Sequence, residues 1–345
     1  MSKTNPGRFF EDYTVGETIH HATPRTLTDG DRALYTALYP SRHALTSSDE
    51  FARASGLPRA PMDDLITFHV VFGKTVPDIS LNAVANLGYA DGRFLRPCYP
   101  GDTLSAASEV IGLKENSNGK TGIVWVRTTG SNQRGEAVLS YVRWVMIRKR
   151  DATAPAPKAQ VPELPKEVGA GDLCLPAGLS FATYNATFAG ESHFWDDYEV
   201  GEHIDHVDGN TLTDPEHMMA TRLWQNTAKV HFDTSARPDG NRLIYGGHII
   251  SLARALSFNG LANAQTILAI NGGTHANPAM AGHTVYAAST VLDKAATAEP
   301  SVGALRTRLI AATCPVPSAQ VRTDDGKLRP EILLDLDLWL ALPKR

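Results

Sequence analysis

The sequence predicts an α+β fold present twice in one chain, each copy made of short antiparallel strands curled around one buried helix. Three observations point there. F-F-E-D-Y-T-V-G-E at 9–17 returns as F-W-D-D-Y-E-V-G-E at 194–202, Leu27-Thr28-Asp29 returns as Leu212-Thr213-Asp214, and R-P-C-Y-P-G-D-T at 96–103 returns as N-P-A-M-A-G-H-T at 277–284. Helical spacing precedes β-rich segments within a copy. Each copy closes on an alternating strand with a tryptophan, Y-V-R-W-V-M-I-R around Trp144 and L-D-L-D-L-W-L around Trp339.

In the first copy, residues 1–150, Asp29 to Tyr39 and Asp64 to Val76 carry helical spacing. I-V-W-V-R-T-T (123–129) and A-V-L-S-Y-V-R-W-V-M-I (137–147) are β-branched or alternating, with Gly119 and Gly135 supplying turns. Residues 151–190 form a linker in which Pro155, Pro157, Pro162 and Pro165 favour extended polyproline II, packed across a domain surface. In the second copy, residues 191–345, Ile249, Ile250, Leu252, Ala253 and Leu256 mark a helix opened by Gly246 and Gly247. Composition does not fix the topology of the strands.

Length and charge narrow the function. A chain of 345 residues exceeds one comfortable core and suggests two domains. A formal net charge of −4 gives no electrostatic case for nucleic acid or an anionic membrane as partner. Cys98, Cys174 and Cys314 are far apart, without C-x-x-C spacing, which argues against disulfides and a thiolate metal site and for a reducing cytoplasm. The N-terminal stretch lacks an apolar h-region, and no apolar run has the length of a membrane span.

Candidate chemistry concentrates between Trp224 and Arg254. His231 lies upstream of the Gly246-Gly247 pair. A helix entered through glycines offers unpaired backbone N–H groups at its positive end, suited to a carbonyl oxygen on which negative charge develops. His231 is therefore expected to handle a proton and the Gly247 N–H to hold an oxyanion, with Gly246 beside it. Arg222, Lys229, Arg237, Arg242 and Arg254 surround this stretch, and His248 lies on the same helix start; the cations suit phosphate or carboxylate recognition. Other constellations are weaker. His203 and His206 lack a third metal ligand and read as a solvated strand edge, as do His20, His21 and Arg25. Ser251 is not in a G-x-S-x-G elbow, and no G-x-G-x-x-G follows a strand.

R-F-L-R-P-C-Y-P-G-D-T-L at 93–104, the segment Asn226 to Asp233 and I-Y-G-G-H-I at 244–249 resemble the MaoC-like hotdog family and the catalytic motif of its R-specific enoyl-CoA hydratases. The likeness covers nearly the whole chain apart from the linker. The segments 47–65 and 72–89 resemble the branch that interconverts β-methylmalyl-CoA and mesaconyl-CoA. The resemblance implies a tandem hotdog, loss or addition of water on a CoA thioester, no metal and no organic cofactor, CoA being part of the substrate. Hotdog domains pair, so two copies can pair within one chain; a homo-oligomer built on that pair stays open. The alternatives are a hydratase for another enoyl-CoA and a catalytically silent acyl-CoA binding protein.

One position departs from the family. R-specific hydratases carry an aspartate five residues before the histidine, where this chain has Asn226, and an amide cannot transfer a proton at neutral pH. His231 could work alone with Asn226 as positioner, Asp233 could supply the carboxylate if 231–233 is extended, or a group could reach across from the first copy. Aligning the copies sets Asn226 against about Leu38, His231 against about His43 and Gly247 against about Met62, beside Pro61. The first copy is therefore expected to shape the acyl pocket or dock CoA, with His43 and the Asp63-Asp64 pair as its candidate polar groups.

Overall fold

The computed structural model describes residues 3–315 and 321–345. The first copy runs β1 (Thr18–Thr26), α1 (Asp29–Leu38), two short helices α2 (Ala44–Ser47) and α3 (Asp49–Ala54), α4 (Asp64–Thr75), β2 (Ala83–Phe94), β3 (Thr103–Glu115), β4 (Thr121–Ser131) and β5 (Ala137–Arg148). The connecting segment carries one short helix, α5 (Ala186–Ala189). The second copy follows with β6 (His203–Thr211), α6 (Asp214–Leu223), α7 (Gly246–Leu256), β7 (Thr266–His275), β8 (Thr284–Ala296), β9 (Val302–Ala312) and β10 (Ile332–Pro343). The expected helices and strands are present, each within a few residues of its sequence pattern. The repeated Leu-Thr-Asp motif caps equivalent helices: the Thr28 side chain accepts from Asp31 N and the Thr213 side chain from Glu216 N.

Among the described residues, all strands join one antiparallel sheet in the order β1-β3-β4-β5-β2-β7-β10-β9-β8-β6. Read outward from the middle, both halves give the same sequence of elements, so the copies are related by a two-fold through the β2·β7 seam. There Tyr89 pairs with Gly273 and Gly92 with Ile270. The sheet curls around α4 and α7, in which Leu65 to Thr75 and Gly247 to Ala255 are buried throughout. A helix buried on every side belongs inside a core rather than on its surface. The two helices lie side by side and antiparallel: the start of α7 meets the end of α4 through Phe72 and Tyr245, while Asp64 at the start of α4 meets Thr266 and Ile267.

Four expectations change. Each copy opens on a strand, β1 or β6, rather than on a helical segment, and residues 44–54 form α2 and α3, whose Leu45 and Phe51 pack beside Trp339 of the other copy. The linker crosses both copies: Gln160 bridges to Leu113, the Trp339 indole donates to Val168 O at 3.1 Å, and Leu179 and Phe181 join that cluster. His21 and His206 are not a solvated edge. Both are buried, each bonded through Nε2 to a serine of the neighbouring strand, Ser108 and Ser289, at 2.8 Å. The alignment of the copies also shifts. Met62 N donates to Cys98 O as Ile244 N donates to Ala279 O, so Met62 matches Ile244 and Gly247 falls opposite Leu65. Leu38 ends α1 as Leu223 ends α6, which places Asn226 beyond it.

Candidate active site

The second copy builds the site from the turn after α6 and the start of α7. Lys229–His231 is a single 3-10 turn, and His231 is only 8% exposed. Its Nδ1 lies 2.7 Å from Leu243 O. A carbonyl oxygen only accepts, so Nδ1 carries the proton and Nε2 keeps its lone pair. Burial pushes the His231 pKa down to about 4, with the Leu243 bond opposing, so the ring is neutral near pH 7.

Tyr245 couples His231 to the helix start. It is the N-cap of α7, its ring lies 5.6 Å from the His231 ring, and its backbone N–H donates to His217 Nε2 at 2.9 Å. His217 stands 5.8 Å from His231 and 6.0 Å from His248, between centroids. Gly246 and Gly247 are the first residues of α7, so their N–H groups have no intrahelical acceptor. Both must lack a side chain. A Cβ on Gly246 would sit 2.4 Å from the His275 ring, and one on Gly247 would sit 2.4 Å from Tyr245 Cε1 and 2.6 Å from His69 Cε1. The glycines thus let a ring of aromatic side chains close on a helix N-terminus.

The first copy contributes through α4. His69 is fully buried, with Nε2 2.8 Å from Ser251 Oγ and Nδ1 3.3 Å from Tyr245 OH. Tyr39 OH lies 2.8 Å from His248 Nδ1, and Tyr89 OH lies 3.1 Å from His275 Nε2. Burial lowers the pKa of His69 and His217 to about 3 and of His248 and His275 to about 4. The site is a cage of neutral imidazoles and phenols shared by both copies. Among the described residues, no group of three or more His, Cys, Asp or Glu is arranged to hold a metal.

The remaining expected residues separate. Asn226 is buried and its Oδ1 accepts from Ala228 N at 3.0 Å, a local turn that occupies the oxygen and leaves the amide nitrogen. Asp233 does not join His231: the segment is a turn rather than extended, and the exposed carboxylate is taken by Ser235 N and Oγ. His43 and Asp63 lie at the opposite end of the helix pair. Asp63 caps α4 through Leu65 N and His43 packs on Phe258 at 5.3 Å. Arg254 is buried there too, donating to Ser257 Oγ. Lys229 is exposed, and Arg237 pairs with Asp239. Arg222 and Arg242 line an open groove of about 630 Å³ with Leu34, Met218 and Met219; Arg242 is paired with Asp214 at 2.7 Å.

His69, His217, Tyr245 and His275 escaped the reading of the sequence. A signal existed for His69, the one imidazole in the run L-I-T-F-H-V-V-F, which is apolar but for Thr67. Tyr245 adjoins the glycine pair in I-Y-G-G-H-I, whereas His217 and His275 carry no such signal, since only the packing of α6, α7 and β7 brings them to the helix start.

Comparison with known proteins agrees with this architecture. A sequence model of the mesaconyl-CoA hydratase family matches residues 2–316. A mesaconyl-CoA hydratase from Cereibacter sphaeroides is 69% identical over 342 residues, covering 99% of this chain and 100% of that protein. A β-methylmalyl-CoA dehydratase from Chloroflexus aurantiacus is 58% identical over 349 residues, covering 100% and 99%. Among solved structures, a MaoC domain dehydratase from Chloroflexus aurantiacus superposes with a TM-score of 0.98 at 57% identity over the whole of both chains. A Mycobacterium tuberculosis protein with a double hotdog fold superposes with a TM-score of 0.77 at 26% identity, covering 98% of this chain and 99% of that one. The paired, helix-centred sheet described above is that double hotdog.

Proposed function

The chain belongs to the mesaconyl-CoA hydratase family, a family of hydro-lyases acting on CoA thioesters, and from that premise we propose that it interconverts β-methylmalyl-CoA and mesaconyl-CoA plus water. The observation that carries the site assignment is the neutral His231, fixed through Nδ1 by Leu243 and packed on the residue that caps the Gly246-Gly247 helix start.

In the hydrating direction, His231 Nε2 takes a proton from water as the water oxygen adds to the β-carbon. Electron density moves to the thioester oxygen, where the Gly247 N–H and the positive end of α7 hold the enolate. Return of that proton from His231 Nε2 to the α-carbon completes the product and restores the neutral imidazole. Dehydration runs the same steps backwards. Asn226, its oxygen tied to Ala228 N, offers its amide N–H to the water or hydroxyl. No metal and no organic cofactor takes part in this scheme.

In the same proposal, residues 1–150 and 191–345 act as two domains joined by 151–190, and the first shapes the acyl pocket through α4 and β5. The groove beside Arg222 and Arg242 receives the CoA phosphates; the exposed Arg222 guanidinium suits them, Arg242 being held by Asp214. Because the copies pair within the chain, one chain can hold one complete site. The test is His231→Ala with mesaconyl-CoA: loss of hydration with thioester binding retained is expected, and full turnover would overturn the assignment. A wild-type protein that binds the thioester without consuming its enoyl absorbance would instead be a silent binding protein.

A further inference from the structure

Arg143, on β5 of the first copy, is fully buried. Its Nη2 donates to Thr75 Oγ1 at 2.7 Å and reaches Ser80 Oγ at 3.5 Å, and its Cζ lies 4.4 Å from the Phe72 ring centroid. Among the described residues, Nε and Nη1 have no hydrogen-bond partner. The carboxylate of the turn below it, Asp78, is bound to His21 Nδ1 at 2.8 Å. Nearby, the buried Tyr141 hydroxyl faces the hydroxyls of Thr75 and Thr128. A guanidinium with two unsatisfied nitrogens in a closed interior is costly to keep, whereas an apolar side chain of similar size there is not.

The second copy shows what the scaffold needs at that place. β2 pairs Tyr89 with Arg143 and Gly88 with Trp144, while β7 pairs Ile270 with Leu338 and Ala269 with Trp339. Arg143 thus corresponds to Leu338, and Tyr141 to Leu336, both buried leucines. The hotdog core is complete with leucine, so the cation in the first copy answers to something other than packing.

Its position says what. Phe72, which covers the guanidinium, is 5.8 Å from the Tyr245 ring, and Tyr245 caps α7. Tyr89, the backbone partner of Arg143, reaches His275, whose ring fills the space beside Gly246. Arg143 therefore stands at the same end of the helix pair as the glycine N-terminus, behind the aromatic wall of the cage. We propose that Arg143, with Tyr141 beside it, binds the free carboxylate of a dicarboxylic acyl group whose thioester oxygen is held at Gly247. The assignment rests on the reaction proposed above and adds the residue that selects its substrate. The acyl carboxylate lies a few bonds from the thioester carbon, so the two anchors fix the acyl group from both ends. Thioesters without the carboxylate would leave the guanidinium unpaired and be rejected.

The test compares mesaconyl-CoA with crotonyl-CoA, which lacks the carboxylate, on wild type and Arg143→Met. The expected result is a fall of about 100-fold or more in kcat/KM for mesaconyl-CoA, with the crotonyl-CoA value unchanged or raised because no guanidinium is left unpaired, and an unchanged or raised melting temperature. A parallel fall for both thioesters, or no fall for either, overturns the role of Arg143. Should Arg143→Met not fold, Arg143→Lys carries the same comparison, and the same selective or parallel outcome decides. A wild-type protein that hydrates crotonyl-CoA and ignores mesaconyl-CoA would instead overturn the substrate reading itself.

Discussion

His231 donates its Nδ1 proton to the carbonyl oxygen of Leu243 across 2.7 Å, and that bond decides which nitrogen is left for chemistry. Twelve residues apart in sequence, the two are joined by the polar turn between α6 and α7, so the imidazole is aimed by backbone rather than by an acidic side chain.

His231→Ala is expected to lower kcat for enoyl-CoA hydration by about 100- to 10,000-fold, the range for loss of a general acid–base group. Loss of enoyl absorbance reports the rate, and thioester affinity measured by calorimetry should change little. Affinity lost as severely as rate would mean that His231 shapes the site rather than moving a proton.

The pH dependence of kcat/KM should lack a limb near the ordinary imidazole value. With its pKa lowered to about 4 by burial, free-enzyme His231 stays neutral above about pH 5, and activity should fall only below that. An acid limb centred near pH 6.5 would assign the base elsewhere.

Gly247→Ala places a methyl 2.4 Å from Tyr245 Cε1 and 2.6 Å from His69 Cε1. One of two buried rings must move, so a destabilisation of about 1–3 kcal/mol is expected, with kcat lowered about 100-fold or more as the N–H is displaced. Thermal melts and turnover on the same preparation separate the two effects. Activity unchanged in a stable variant would remove Gly247 from the oxyanion role.

Asn226→Ser keeps an oxygen for the Ala228 N–H and removes the amide donor. If that donor orients water, kcat falls about 10-fold or more while the melting temperature holds. A fully active serine variant would leave Asn226 as a turn residue alone.

Stability should drop steeply in acid. His69, His206, His217, His231, His248 and His275 all have folded-state pKa values of about 3 to 4 because they are buried. Each is protonated more readily when unfolded, so its contribution is full above about pH 6.5 and is lost as the pH falls towards about 4. Asp64 has the opposite sign. Burial, then Asp63, raise it to about 7, so the folded state holds the proton more tightly and stability is lost as the pH rises through 7. Asp64→Asn should raise the melting temperature at pH 8 and change it little at pH 5; equal shifts at both would contradict the assignment.

Much of the scaffold was legible in the chain. The repeats marked two copies because equivalent helices need equivalent caps, and Thr28 and Thr213 supply them through local bonds of three residues. The glycine pair and His231 were legible for a similar reason: a helix start without side chains and a titratable ring nearby are short-range patterns. The error in matching Gly247 to Met62 arose where the copies carry different lengths between equivalent helices, which only the paired bonds of Met62 and Ile244 correct.

The linear sequence by itself determined the duplicated α+β fold, the helix entered through glycines and the candidate proton carrier, since each depends on periodicity or on neighbours along the chain. The tertiary structure decided that His69, Tyr39 and Tyr89 of the first copy complete a cage in the second, that Asp233 and His43 stand outside it, and that Arg143 is buried without an anion. Those facts follow from the β2·β7 seam and the antiparallel pairing of α4 with α7, which bring together residues nearly two hundred positions apart, a separation over which no local pattern carries information.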